Sequence, residues 1–140
     1  MEKADTPYRL EDQIGYVMRR ATQRHLTIFA DLMTGLTTTQ FATLARLHEL
    51  GPMSQNHLGR ATAMDAATIK GVVGRLSAQG LVQAQPDPGD RRRLTVSLTA
   101  EGIAVIEASY DLAGQVTART LQPLNDREQV LLLALLSRLT

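Results

Sequence analysis

Between Phe41 and Thr99 three helical patterns, separated by tight turns, run straight into two stretches that alternate with period two. Phe41, Leu44, Ala45, Leu47 and His48 fall at helical spacing, and Gly51-Pro52 ends that pattern. Ser54 can cap a short helix over 54–62, anchored by Leu58 and Ala61. Asp65 can cap the next helix, through Gln79. Its buried positions Ile69, Val72, Val73 and Leu76 follow i, i+3, i+4, i+7, and Gly80 follows its end. "LVQAQP" then alternates through Val82 and Ala84, and "RLTVSLT" through Leu94, Val96 and Leu98. "DPGDR" between them predicts a hairpin with a loop longer than the minimum.

Two short helices joined by a tight turn and followed by a β-hairpin describe a winged helix-turn-helix. In that arrangement the second helix of the pair enters the major groove of DNA. Its outward positions here are Ala66, Ala67, Lys70, Gly71, Gly74 and Arg75, small except for two cations. Small residues let a backbone come close to DNA, while Lys70 and Arg75 reach phosphates or guanine edges. Thr68, near the helix start, can meet a base methyl or a phosphate. A pair of solvated basic residues on a helix would look the same taken alone, so the hairpin tip carries the weight. There Asp90 precedes Arg91, Arg92 and Arg93. An arginine on a narrow loop can enter the minor groove. An adjacent aspartate makes sense if its carboxylate clamps a guanidinium and aims it.

Charge distribution agrees. Residues 1–53 hold six Lys/Arg and six Asp/Glu. Residues 54–99 hold six against three, and residues 100–140 three against five. The positive excess lies in the middle, and a polyanion senses it locally because salt screens beyond about 8–10 Å.

The flanks read as helices. Leu10, Ile14, Val17, Met18, Ala21, Ile28, Phe29 and Leu32 repeat at helical spacing, with His25 on the same stripe. Residues 1–8 show no period and are expected to be loose. Thr37 and Gln40 form a capping box. Thr99 caps a helix carrying Ile103, Ile106, Tyr110 and Ala113. Asn125 and Glu128 pair before "QVLLLALLSRL". That last segment is apolar around most of its circumference, which implies burial on several sides and so a partner subunit.

Several classes drop out. There is no cysteine, so no disulfide, thiolate zinc site, cysteine nucleophile or thiol sensor. No apolar run is long enough to span a bilayer, and the opening "MEKADTPYRLEDQ" does not read as a signal peptide. A cytoplasmic protein is expected. His25, His48 and His57 lack metal-ligand spacing, so no metal or other cofactor is expected. No nucleophile-elbow, zinc-protease or phosphate-loop motif is present, so no catalytic residues are assigned and an enzyme is not expected.

The stretches "LTTTQFATLARL", "SQNHLGRATAMDAATIKGVVGRLSAQGLV" and "DPGDRRRLTVSLTAEG" resemble the MarR family of bacterial transcriptional regulators. The wing signature, Asp-x-Arg then an alternating strand ending Leu-Thr-x-x-Gly, matches Asp90-Arg91-Arg92 and Leu98-Thr99-Ala100-Glu101-Gly102. The resemblance implies a mainly α fold with a small β-wing: a winged helix-turn-helix lobe over 36–99, flanked by helical dimerisation regions over 1–35 and 100–140. It implies a homodimer that binds a palindromic operator, as a repressor, and is released by a small aromatic or phenolic acid. An architectural or effector-independent winged-helix DNA binder is the alternative.

On this reading the DNA-contacting residues are Ser54, Gln55, Asn56, Arg60, Ala67, Thr68, Lys70, Gly71, Arg75, Asp90, Arg91, Arg92 and Arg93. Arg92 is the minor-groove arginine and Asp90 its clamp; Arg91 and Arg93 contact phosphates or partly substitute for Arg92. The family often places an arginine one turn into the recognition helix, where this chain has Lys70-Gly71, so base preference does not transfer there. The dimer contacts are Ile14, Val17, Val130, Leu133, Leu136 and Leu139. The effector candidates are Arg20, Arg24, His25, Phe29 and Met33 on the first helix, Phe41 and Leu44 on the next, and Tyr110 after the wing. A cation, an imidazole and flat apolar walls suit a carboxylated ring. His25 on an apolar stripe is more often a core or interface histidine, and Phe29, Met33 and Phe41 fit a core.

Overall fold

A computed structural model describes residues 7–140. The chain forms two compact units, residues 33–114 and the described residues up to Leu32 together with Gln115–Thr140. The expectation of a loose start lies, for residues 1–6, outside the described residues; Pro7 and Tyr8 are exposed and without regular structure.

The unit formed by residues 33–114 contains α2 (Thr38–Leu50), β1 (Met53–Ser54), α3 (Gln55–Ala61), α4 (Ala66–Ala78), β2 (Val82–Asp87), β3 (Asp90–Leu98) and the start of α5 (Ala100–Leu121); the units divide inside α5. The caps form as their local chemistry dictates. Thr37 and Gln40 complete a reciprocal capping box on α2. Ser54 accepts from the His57 N–H to start α3, and Asp65 accepts from the Thr68 N–H to start α4. Gly80 follows α4 at φ +75°, a left-handed conformation that costs glycine little.

The sheet is antiparallel, in the order β1-β3-β2. Its third strand, β1, is two residues long and pairs Met53 with Val96 and Ser54 with Thr95. Sequence alone showed two strands, because two residues carry no period. The wing loop is also tighter than expected. Asp87 pairs with Asp90, leaving Pro88-Gly89 between the strands, with a bulge at Pro86/Asp87. Asp87 Oδ1 accepts from the Gly89 N–H at 2.8 Å, an aspartate turn that closes the tip.

Leu44, Leu47, Met53, Leu58, Ile69, Val72, Val73, Leu76, Leu81, Val82, Val96 and Ile106 form one aliphatic core beneath the sheet and helices. Burying each such side chain stabilises the fold by about 1.5–3 kcal/mol. The "Leu-Thr-x-x-Gly" run locks the wing onto that core. Thr99 donates its hydroxyl to the Gly80 carbonyl and accepts the Gly102 N–H, while its own N–H reaches the Leu81 carbonyl. A Cβ at Gly102 would overlap the Leu81 carbonyl oxygen. This part of the wing signature therefore serves the fold: it is a corner that only glycine fits.

The second unit holds α1 (Ile14–Leu32), the end of α5 and α6 (Asp126–Ser137). The helical stripe predicted from Leu10 is interrupted. Leu10–Asp12 is a single 3-10 turn, and Gln13 is extended before α1 starts. Asn125 and Glu128 cap α6 reciprocally. Three side chains cap the end of α5, whose last carbonyls lack helical partners. Arg24 donates to the Thr120 and Arg119 carbonyls, His25 Nδ1 lies 2.9 Å from Thr120 Oγ1, and Gln129 donates to the Leu121 and Leu124 carbonyls. A cation at a helix C-terminus also meets the negative end of its dipole. α6 buries none of its residues within the single chain: Val130 is 72% and Leu131 55% exposed.

Candidate nucleic-acid interface

The predicted DNA-contacting residues lie in the 33–114 unit, at the end of β1, on α3, on α4 and on the wing. Ala67, Thr68, Lys70 and Arg75 are exposed on α4, and Gly71 is half-buried. The helix is held from beneath by Ile69, Val72, Val73 and Leu76. Gly59 of α3 allows the two helices of the pair to meet closely, since a Cβ there would come within 3.1 Å of both Ile69 Cγ2 and the Met64 carbonyl. Ser54, Gln55 and Asn56, at the start of α3, line one depression of about 80 Å³ with Arg92, Arg93 and Leu94 of β3. The chain thus brings the α3 start against the wing arginines. Arg60 is exposed near the other end of α3.

The wing differs from expectation in one respect. Asp90 does not clamp a guanidinium. Its Oδ1 accepts the main-chain N–H of Arg92 at 3.0 Å. The ion pairs among the described residues are Arg9–Asp12, Arg46–Glu49 and His48–Glu107, and none involves the wing. Both wing carboxylates, Asp87 and Asp90, therefore hold backbone N–H groups two residues on. Arg91, Arg92 and Arg93 project exposed and without an acidic partner among the described residues. The physical reason is reach: an aspartate finds the N–H two residues ahead without ordering a long side chain. At the head of α4, the Asp65 carboxyl is held below its ordinary value, chiefly by the Thr68 N–H.

The effector candidates divide four to each unit. In one, Arg24 and His25 are bonded to the α5 terminus as described, Arg20 lies over the Tyr16 ring at 5.9 Å, and Phe29 is buried. In the other, Met33 lies past the end of α1 rather than on it and is buried. Leu44 has no exposed surface; it is a core residue and presents no wall to a ligand. Phe41 meets Tyr110 edge-on at 6.4 Å, and the Tyr110 hydroxyl lies 2.7 Å from His48 Nδ1. His48 Nε2 is 3.2 Å from a Glu107 carboxylate oxygen, which only accepts, so Nε2 carries the proton of that contact. Burial, then the charges of Glu107 and Glu49, raise the Tyr110 hydroxyl above its ordinary range. Sequence reasoning missed His48 as Tyr110's partner because the two stand 62 positions apart.

The predicted dimer residues Ile14, Val17, Val130, Leu133, Leu136 and Leu139 are all exposed in the second unit. Ile14, Leu136 and Leu139 come together in an apolar groove of about 390 Å³. Among the described residues no helix is long and apolar enough to cross a membrane, and no three His, Cys, Asp or Glu side chains cluster as metal ligands.

A helix pair with a cation-bearing outer helix, joined to a two-stranded wing tipped with exposed arginines, defines a winged helix-turn-helix protein. Comparison with known proteins is specific. The MarR family profile matches residues 34–93. The repressor NicR of Pseudomonas putida is 44% identical over 137 residues, covering 96% of this chain and 87% of that protein. A probable transcriptional regulator from Pseudomonas aeruginosa superimposes with a TM-score of 0.90 at 52% identity, over 94% of this chain and all of that one. BpsR of Bordetella bronchiseptica, whose DNA binding is regulated by 6-hydroxynicotinic acid, superimposes with a TM-score of 0.91 at 39% identity, over 96% and 97% of the two chains. The chain belongs to the MarR family of transcriptional regulators. Its relatives are regulators, not enzymes.

Proposed function

We propose that this protein is a cytoplasmic, ligand-responsive repressor that binds a palindromic operator as a homodimer. α4 enters the major groove with Lys70 and Arg75 outward, and the wing places Arg92 in the adjacent minor groove. Arg91, Arg93 and the Ser54–Asn56 turn meet phosphates. The carrying observation is that the wing arginines have no acidic partner among the described residues, while Asp87 and Asp90 each accept a main-chain N–H. Two copies join through the exposed apolar faces of α1 and α6, which a single chain leaves in water. Two-fold symmetry of the protein then requires a palindrome in the DNA.

The effector is a small hydroxylated aromatic or heteroaromatic acid. The regulation of BpsR by 6-hydroxynicotinic acid and its 39% identity to this chain support that class. Within the 33–114 unit, Tyr110 is the candidate with an exposed polar group for it.

Binding to duplexes selected from a random pool, compared with scrambled duplex at fixed salt, tests the reading. A strong preference for a palindrome, reversed by 6-hydroxynicotinic acid or a related acid, is expected. Equal affinity for both duplexes would leave only an architectural DNA binder. Preference with no release by any aromatic acid would remove the effector half alone.

A further inference from the structure

The recognition helix follows a turn that a third helix holds from outside. Ala61 is the last residue of α3, and its carbonyl accepts from Arg46 Nε of α2 at 2.9 Å. The same guanidinium is fixed through Nη1, 3.0 Å from Glu49 Oε2, one turn further along α2. The neighbouring carbonyls are consumed inside the turn. Leu58 and Gly59 accept from Thr62, Gly59 also accepts from the Met64 N–H, and Arg60 accepts from the Ala63 N–H. Ala63 itself stands at φ +56°, a left-handed conformation that a Cβ disfavours. Two residues later Asp65 caps α4. The bearing of α4 is thus set by a strained turn, and Arg46 is the side chain that ties its start to α2.

We propose that Arg46 is a positioning residue for sequence recognition: it holds the α3–α4 turn so that Lys70 and Arg75 reach base edges in register, without itself contacting DNA. This rests on the DNA-binding reading above. Loose phosphate contacts tolerate a misdirected helix, but base-edge hydrogen bonds do not. Loss of the tether therefore lowers operator affinity while sparing non-specific affinity.

The test uses Arg46→Gln and Arg46→Met in the full-length protein. Glutamine carries its Nε2 donor the same number of bonds from the backbone as arginine carries Nε; methionine keeps the stem and no donor. The Met variant should lose about tenfold in the ratio of specific to non-specific binding, the scale of one charge-assisted hydrogen bond. The Gln variant should lose clearly less, about threefold at most, since it keeps that donor and gives up only its charge. Neither should change the slope of log affinity against log salt. Equal losses in both, with the slope reduced by about one phosphate contact, would show instead that Arg46 touches DNA. An unchanged ratio in the Met variant would overturn the proposal. Amide hydrogen exchange at Thr62, Ala63 and Met64 reads the tether without DNA: faster exchange in Met and not in Gln is expected. Unchanged exchange would refute the tether even if operator binding is confirmed. A wild type without sequence preference would fail the DNA reading by itself.

Discussion

Asp90 and Arg92 are joined through the main chain: the Asp90 carboxylate accepts the Arg92 N–H at 3.0 Å and leaves the guanidinium without an acidic partner among the described residues. The acid in the wing is a backbone brace. It orders the strand that carries the arginine while the guanidinium stays exposed.

Asparagine keeps the bracing oxygen and removes the charge. Asp90→Asn should bind operator at least as tightly as wild type, while Asp90→Ala, which loses the brace, should bind about two- to tenfold more weakly, the range for one hydrogen bond. Fluorescence anisotropy on a labelled operator separates them. Equal weakening of both would restore the guanidinium clamp.

Arg92→Ala should cost about 1–3 kcal/mol of operator affinity, the scale of a groove-reading arginine. Arg91→Ala should weaken specific and non-specific binding alike and flatten the salt dependence. If Arg91→Ala proved the more sequence-selective loss, the two roles would be exchanged.

Nothing in the fold demands the two glycines inside α4. A Cβ at Gly74 would meet nothing within 4 Å, and one at Gly71 would make ordinary contact with the Arg75 guanidinium at 3.5 Å. Mid-helix glycine costs about 0.5–1 kcal/mol relative to alanine. Gly71→Ala and Gly74→Ala should therefore each raise the melting temperature and yet weaken operator binding, because the added methyl stands where DNA approaches. A variant more stable and equally tight would show that DNA keeps its distance there. Gly102→Ala is the opposite case: its Cβ meets the Leu81 carbonyl. It should destabilise by about 2 kcal/mol or more in urea denaturation, the range for steric strain in a packed site.

Asp65 caps α4 with its carboxyl held below the ordinary 3.8 by the Thr68 N–H. A group whose folded pKa is depressed stabilises above its unfolded pKa and loses that stabilisation as pH falls through the folded value. The melting temperature should thus fall below about pH 4 with a component that Asp65→Asn removes, since asparagine caps without titrating. An identical acid limb in the variant would assign that loss to other carboxylates.

Leu136→Arg places a charge on the apolar face of α6, where Leu136 is 38% exposed in the single chain. Light scattering should find a monomer, with operator affinity lost alongside the second half-site. A dimer unchanged in mass would move the interface elsewhere.

What could be read in the sequence is what acts over three or four residues. The caps at Thr37, Ser54, Asp65, Thr99 and Asn125 are hydrogen bonds between near neighbours, so residue type and spacing suffice to predict them. The i, i+3, i+4, i+7 stripe of α4 and the alternation of β3 likewise show which face is buried. Tertiary structure decided the contacts between distant residues. β1 exists because Met53 and Ser54 meet Val96 and Thr95. Arg24 and His25, predicted as ligand contacts from their types, are spent on the end of α5 some 95 positions away. Arg46 gave no signal until Ala61 presented a carbonyl with no helical partner. A side chain's type states which bonds it can make; only the folded chain determines which partner arrives first and which cations, such as the wing arginines, are left without an acidic partner among the described residues.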